Sequence, residues 1–416
     1  MKNKLYIIII IFLTAVISTL LALTWNKKLK TIQKNTNETN QTVNKKEEAK
    51  KETKKEKKVI ENLTYEFNTK VFLKDVENIT VDDNTTLIDT GTLGNNTYED
   101  DNYIIKYNIK DTKKPIIIGS SSITIYNGSS TNPVNKLMCG DNETSKPNCY
   151  IDGNWDVNKN GTYEVKYTAI DNSGNKSTKD IKIVVKNKPK DSSKSSSSST
   201  KKGTKLAKFI EKYKTDDTLI GIDVSAWQGN IDFSKAKKDG VEAAIIRLGY
   251  GPSGDDRKLK LDSKFKRNLE GFKKVGIPVG IYYFSYAKTK EEVKNTADYI
   301  IKNLDGAILD FPIAFDWENW GSSFNKYGVS FKDLGDMYQI FKKTLNDAGY
   351  KTMLYSSAYY LNKVWDDRQE NSWVAYYTSN NDFKKNYMMW QASSSGKVSG
   401  ISGLVDIDIF YPNKIQ

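Results

Sequence analysis

The chain has 416 residues, enough for several domains, and it contains no histidine and only two cysteines. Ser-His-Asp and Cys-His nucleophilic systems, His-ligated metals and Cys-rich zinc sites are therefore excluded, so any catalysis falls to carboxylates, tyrosines and lysines. The formal charge of +13 sits in spacers: residues 26–58 carry 12 Lys against 5 Glu and 186–206 carry 7 Lys against 1 Asp, whereas 217–416 balance 27 Lys/Arg against 25 Asp/Glu. Basic stretches without aromatic residues for base stacking point to an anionic surface, such as a cell wall or lipid head groups, and away from nucleic acid.

Residues 1–25 begin MKNK and then run from Leu5 to Trp25 without a charge, long enough to span a bilayer. They read as a transmembrane anchor or a signal peptide, and the candidate cleavage sites around Ala22 are poor. Either reading exports the chain, to stay membrane-anchored facing the wall or to be secreted. Residues 26–60 form a Lys/Glu-rich spacer whose composition cannot bury a core.

Residues 61–187 are rich in Thr, Asn, Val, Ile and Tyr, with alternating runs and frequent turn residues, an all-β signature. Two β-modules are expected, 61–112 and 113–187. In the second, Tyr163, Val165, Tyr167 and Ala169 alternate with polar residues, Asp171 to Asn175 make a turn, and Ile181, Ile183 and Val185 return. This pattern, with DTKKPIII as its entry strand, resembles the bacterial immunoglobulin-like modules of surface proteins. Cys139 and Cys149 flank a polar loop, and outside the cell a disulfide is their default state. Residues 188–206 form a Ser/Lys-rich linker.

From 207 to 416 short apolar runs alternate with helical stretches. The strand-like runs are Leu219–Ile222, Ala243–Ile246, Val279–Tyr283 and Ile313–Phe315, and the helical ones include SKFKRNLEGFKKVG, EEVKNTADYIIKNL and FKDLGDMYQIFKKTLNDAG. Such alternation predicts an α/β barrel domain that folds on its own, and no GxGxxG or GxxxxGK[ST] supports nucleotide binding. In a barrel, catalytic groups come from the ends of several strands. The acids placed there are Asp223 in LIGID, Asp316 and Glu318 in AFDWENW, and Asp406 in GLVDID. Residues i and i+2 of a strand share a face, so Asp316 and Glu318 either meet water together at a strand end or aim into one cleft, the arrangement that glycosidic-bond hydrolysis uses; the triplet alone does not separate the two.

The segments GIDVSAWQGNIDFSKAKKDGVEAAIIRLGYG, DSKFKRNLEGFKKVGIPVGIYYFSYA, FPIAFDWEN, WVAYY and MWQASSSGKVSGISGLVDIDIF, in order from 221 to 410, resemble glycoside hydrolase family 25, the lysozyme-type N-acetylmuramidases. The resemblance implies a modified (β/α) barrel that cuts the β-1,4 bond between N-acetylmuramic acid and N-acetylglucosamine in peptidoglycan strands. It implies Glu318 as general acid, Asp316 as its assistant acting through the substrate's acetamido group, and Asp223 and Asp406 completing an acidic floor. Tyr283, Tyr355 and Trp390 are the expected sugar platforms, Trp227 fits platform or core, and Arg247 is expected to pair with the acids. No metal or organic cofactor is implied. The competing reading is a non-catalytic peptidoglycan-binding protein on the same barrel. Two departures stand out: many relatives carry His where this chain has Tyr282-Tyr283-Phe284, and often Asn where it has Asp408.

Overall fold

A computed structural model of the chain describes residues 56–81, 85–189, 203–365 and 371–415. The apolar run Leu5 to Trp25 lies outside the described residues, as do most of the 26–60 spacer and of the 188–206 linker. Among the described residues no helix is long and apolar enough to cross a membrane. The chain divides into two compact units: residues up to Leu63 with Thr97–Lys106, and Thr64–Asn96 with everything from Tyr107 onward. Ion pairs Lys106–Glu61 at 2.7 Å and Lys57–Glu99 at 2.6 Å lie within the first, on solvated strand faces where such pairs contribute little.

The immunoglobulin-like module of the second unit follows from its alternation. Strands Gly161–Ile170 and Lys176–Lys186 pair antiparallel along their whole length, with Gly161 opposite Val185 and Ile170 opposite Lys176. That register puts Val165, Tyr167, Ala169, Ile181, Ile183 and Val185 on one face, where they meet Ile123, Ile125, Leu137 and Cys139 in a single core. The turn closes through Asp171, whose Oδ1 accepts from Asn175 N at 2.7 Å, with Gly174 at φ 87°. Ser122–Tyr126 joins the sheet parallel to Lys176–Lys186, and Asn148–Asp152 flanks it on the other edge. A separate ribbon pairs Ile116–Ile118 with Met138–Gly140. Cys139 and Cys149 form a disulfide with Cα atoms 6.5 Å apart.

The barrel contains eight strands: β1 Leu219–Val224, β2 Ala243–Ser253, β3 Val279–Ser285, β4 Ile313–Trp317, β5 Thr352–Ser357, β6 Ser372–Ala375, β7 Met389–Lys397 and β8 Val405–Phe410. Strands β1 to β7 pair as parallel neighbours; β8 runs antiparallel between β7 and β1 and closes the ring. The helices are α1 Leu206–Tyr213, α2 Phe233–Asp239, α3 Phe265–Lys274, α4 Lys290–Leu304, α5 Phe324–Tyr327, α6 Phe331–Asp347 and α7 Ala358–Lys363. Asp232, Thr289 and Ser330 cap α2, α4 and α6 through their side chains. Two apolar layers result. One fills the barrel interior around Ile245, Ala314, Met353 and Phe410; the other lies between strands and helices around Ile281, Phe315, Trp317 and Phe341.

The ribbon of the immunoglobulin-like module packs on this outer layer. Met138 is fully buried within it, and Ile116 and Ile118 pack against it. A Cβ on Gly140 would lie 2.7 Å from the Phe331 ring and 2.9 Å from that of Phe324, so only glycine permits so close an approach. Asn325 bridges the two parts, accepting from Cys139 N and donating to Leu137 O, both at 2.9 Å. The first turn of α6 has free N–H groups, as all helices do, and two of them find partners in the module: Phe331 N donates to Asp141 O at 2.8 Å and Lys332 N to Asn142 O at 3.2 Å.

Shortening Met138 leaves a cavity under α5 and α6. Met138→Ala should therefore cost roughly 2–5 kcal/mol, read as a lower thermal midpoint in near-ultraviolet circular dichroism. A fragment starting at residue 207 uncovers Phe324 and Phe331 and should melt below the intact chain. Equal midpoints for all three proteins would show that the ribbon contributes nothing to the barrel.

Candidate active site

Strand β4 explains how two acids come to lie in an aromatic stretch. Successive side chains alternate, so Ile313, Phe315 and Trp317 face the helices while Ala314 and Asp316 face the barrel interior. Trp317 is wedged among Trp320, Phe324 and Tyr327, and its Nε1 donates to Ala287 O at 2.9 Å. The strand is thereby locked in rotation, and Asp316 has nowhere to point but inward. Glu318 follows just past the strand end, at the mouth.

Asp316 and Glu318 line a cleft of about 870 Å³ together with Asp223, Asp406, Trp227, Arg247, Tyr250, Asp262, Tyr282, Phe284, Tyr286, Tyr355, Trp373, Tyr377 and Gln391. Asp223 lies at the C-terminal end of β1, and Asp406 is its direct partner across the antiparallel β1–β8 pair. Because β8 runs the other way, its beginning, and not its end, stands at the mouth.

The electrostatics follow from burial and crowding. Asp316 is 3% exposed, and desolvation pushes its carboxyl well above the usual range. The charge of Glu318 and a hydrogen bond donated to Glu318 push the same way, while Arg247 opposes them. Glu318 is raised by desolvation of its carboxyl and lowered by that same bond from Asp316. Burial and crowding thus raise both carboxyls, that of the more deeply buried Asp316 most. Of the two, Glu318 is the exposed one.

A second crowded group of acids lies below. Asp223 is raised by burial and by Asp406, and Asp408 is raised by burial and by Asp223 and Asp406. Asp408, fully buried, lies beside Asp223 and accepts from Trp373 Nε1 at 2.8 Å. Gln391 ties the floor together: its Nε2 donates to Asp223 Oδ2 at 2.7 Å, and its Oε1 accepts from Tyr355 Oη at 2.9 Å and Tyr377 Oη at 2.7 Å. Asp406 is pushed up to about 6 by burial and by Glu318.

Several positions expected from the sequence lie in the cleft, and others do not. Asp223, Asp316, Glu318, Asp406, Tyr355, Arg247 and Trp227 all line it. Trp227 is 84% exposed, an unusual state for so apolar a ring and one that suits a platform. Tyr283 and Trp390 must be corrected. Tyr283 is fully buried on the helix side of β3, edge-on to Tyr299 of α4 at 6.3 Å, and its neighbours Tyr282 and Phe284 face the cleft instead. Trp390 likewise points outward onto Tyr213 of α1 at 5.1 Å, with Nε1 bonded to Tyr376 O. Arg247 does not grip the D-x-E pair. Its guanidinium binds Asp262 through Nε at 2.8 Å and Nη2 at 2.7 Å, and it acts on Asp316 only through space. Sequence reasoning missed Gln391, Trp373 and Tyr377; the first two face the cleft because of strand register, which no local signal in the sequence fixes.

Residues 222–401 match the family described as glycosyl hydrolases family 25, and residues 115–185 match the bacterial surface protein, Ig-like domain. An autolytic lysozyme of Clostridium acetobutylicum is 29% identical over 194 residues, 46% of this chain and 56% of that protein. The chain thus spans little more than half the length of that relative. Lysozyme M1 of Streptomyces globisporus is 29% identical over 208 residues, 46% of this chain and 67% of that protein. Among solved structures, the bacterial lysozyme from Streptomyces coelicolor is 26% identical, with 46% of this chain and 91% of that one covered and a TM-score of 0.40.

The electrostatic argument makes a direct prediction. Since Glu318 raises Asp406, Glu318→Gln should move the Asp406 titration from about 6 toward the ordinary aspartate range. Carbon-13 carboxyl NMR of labelled aspartates reads this, and an unmoved resonance would show that the two acids do not feel each other.

Proposed function

With residues 222–401 forming a glycosyl hydrolases family 25 domain behind a bacterial surface Ig-like domain, we propose that the protein is an exported, lysozyme-type glycoside hydrolase of peptidoglycan. It cleaves the β-1,4 bond from N-acetylmuramic acid to N-acetylglucosamine. The observation that carries this reading is the Asp316–Glu318 pair at the mouth of a cleft that Asp223 and Asp406 also line, with both carboxyls raised by burial.

A sugar seated over the mouth displaces water from Glu318 and makes its anion still less favourable. The proton then passes along the existing bond from Asp316 to Glu318, and the negative charge left on Asp316 lies in the field of Arg247. Glu318 gives that proton to the glycosidic oxygen as the bond to the anomeric carbon breaks. The substrate's acetamido oxygen closes on the anomeric carbon from the other face, and Asp316 stabilises the positive charge that spreads onto the acetamido nitrogen. Such substrate assistance replaces a protein nucleophile. Water opens the intermediate, returning its proton to Glu318. Trp227, exposed beside the acids, offers an apolar face to the pyranose C–H groups.

Purified peptidoglycan digested with the protein, reduced and analysed by mass spectrometry, should give fragments ending in reduced N-acetylmuramic acid. Ends in reduced N-acetylglucosamine, or no fragments, would overturn the assignment of the bond or of the activity. Glu318→Gln keeps the shape but has no proton to give, so turnover should fall roughly 10²–10⁴-fold. Near-normal lysis by that variant would remove Glu318 from the mechanism.

Activity requires the shared proton, so it should fall on the alkaline side as the pair loses it. That proton leaves at a higher pH than it would from Glu318 alone, because its loss leaves two adjacent anions. In Asp316→Asn the alkaline limb of residual activity should therefore move to lower pH, and a limb that stays in place would disprove proton sharing. Asp408→Asn is expected to be mild. An amide reproduces both hydrogen bonds of a protonated Asp408, to Asp223 and from Trp373, whereas Asp408→Ala breaks both and should cost at least tenfold in turnover.

A further inference from the structure

A second acidic cluster lies far from the barrel mouth in sequence, at the start of the immunoglobulin-like module. One carboxylate oxygen each from Asp111, Asp141 and Glu143 lie within 4.8 Å of one another. Asp111 is 6% exposed and Asp141 1%, and each keeps a buried oxygen, Asp111 Oδ2 and Asp141 Oδ1, that no described residue hydrogen-bonds. Their other oxygens are fixed. Asp111 Oδ1 accepts from Asn142 Nδ2 at 3.0 Å and Lys113 N at 3.2 Å, and Asp141 Oδ2 accepts from Glu143 N at 2.9 Å and Thr144 N at 2.8 Å. Asp171 adds a fourth negative charge close enough to be felt by both aspartates, and its own oxygens are held by Asn175. Among the described residues no lysine or arginine forms an ion pair with any of the four.

Two buried carboxylates beside a third, each keeping an oxygen without a hydrogen bond and none paired with a described lysine or arginine, are costly to bury. We propose that Asp111, Asp141 and Glu143 bind a calcium ion that fastens the loop of the immunoglobulin-like module to the barrel.

The ion is assigned by ligand chemistry. All available donors are hard carboxylate oxygens, which suit calcium or magnesium and not a soft transition metal. The missing histidines and the disulfide-bonded cysteines exclude nitrogen and sulfur sites but say nothing against an oxygen site. Calcium accepts roughly six to eight oxygens in irregular geometry, whereas magnesium demands an octahedron and gives up water reluctantly. Donors spread over a linker and a disulfide-closed loop favour calcium. Its place in the fold gives it a consequence. Asp141 O and Asn142 O are the groups that receive the N–H bonds of Phe331 and Lys332 at the start of α6. Holding Asp141 and Glu143 together holds the carbonyls that cap α6.

Thermal unfolding of the full chain, stripped with a chelator and titrated with calcium chloride, tests this. The midpoint should begin to rise with calcium at a concentration on the order of 10⁻⁴–10⁻³ M, the range of extracellular calcium modules. Matched magnesium chloride should need at least ten times more. Glu143→Gln, a part-exposed change that preserves the loop, and Asp111→Asn should each shift the calcium response at least tenfold upward. Glu318→Gln, in the other acidic cluster, should leave it unchanged. No calcium response, an equal response to magnesium, or a response lost in Glu318→Gln and retained in Glu143→Gln would each overturn the proposal.

Discussion

The site depends on one constraint: a carboxylate held inside a barrel beside another carboxylate cannot be ionised together with it at ordinary cost. Strand β4 imposes that constraint mechanically. Phe315 and Trp317 are clamped among aromatic rings of the helix layer, so Asp316 has to face inward. The arginine that could neutralise it is already bound to Asp262 at 2.7 Å. What remains is to share a proton with Glu318. The same crowding recurs at β1 and β8, where Asp223 and Asp408 are both raised by burial and by the acids around them. The mouth is a set of acids kept partly neutral by each other, which is the state general acid catalysis needs near neutral pH.

The central amide of Gln391 keeps that arrangement from being symmetric. By donating to Asp223 and accepting from two tyrosine hydroxyls, it favours the anion on Asp223 against the burial and the Asp406 charge that raise that carboxyl. The aspartate at 408 loses its oddity on this view. Buried and protonated, it presents one donor and one acceptor in the places where an amide presents them. Tyr282, lining the cleft, offers a hydroxyl whose proton is held well above the usual range by burial and surrounding acids. It can hydrogen-bond a sugar there but does not titrate near neutrality.

Element type and order were legible in the sequence because strand and helix periods are local. SKFKRNLEGFKKVG became α3, EEVKNTADYIIKNL α4 and FKDLGDMYQIFKKTLNDAG α6. The acids were legible too, since a charge inside an apolar strand is conspicuous. Which aromatic faces which side was not. Tyr282 and Tyr283 are chemically alike and adjacent, and their faces are decided by the register that sets Phe284 beside Asp316 across β3 and β4. Trp390 and Gln391 pose the same problem on β7. Docking of the immunoglobulin-like module left no local trace either. Met138, Cys139 and Gly140 look like any strand of that module, and their partners Phe324 and Phe331 lie nearly two hundred residues away.

That docking changes what the module does physically. A stalk only sets distance, but here the module's ribbon covers Phe324 and Phe331 and its loop carbonyls cap α6. Residues 319–330 are therefore fixed at both ends, by the barrel strand that carries Asp316 and by a helix whose first turn is bonded to Asp141 and Asn142. Buried carboxylates stand behind both anchors, and surroundings decide how each group is neutralised. At the mouth, Gln391, the tyrosine hydroxyls and the exposed side chain of Glu318 give protons a path and a partner, so proton sharing is available and useful. Around Asp141 the described partners of the carboxylates are backbone N–H groups, Asn142, Asn175 and the Thr144 hydroxyl, and none of these supplies a proton near neutral pH. The calcium ion proposed for that cluster would neutralise it without exchange, and so serve rigidity where the mouth needs a mobile proton.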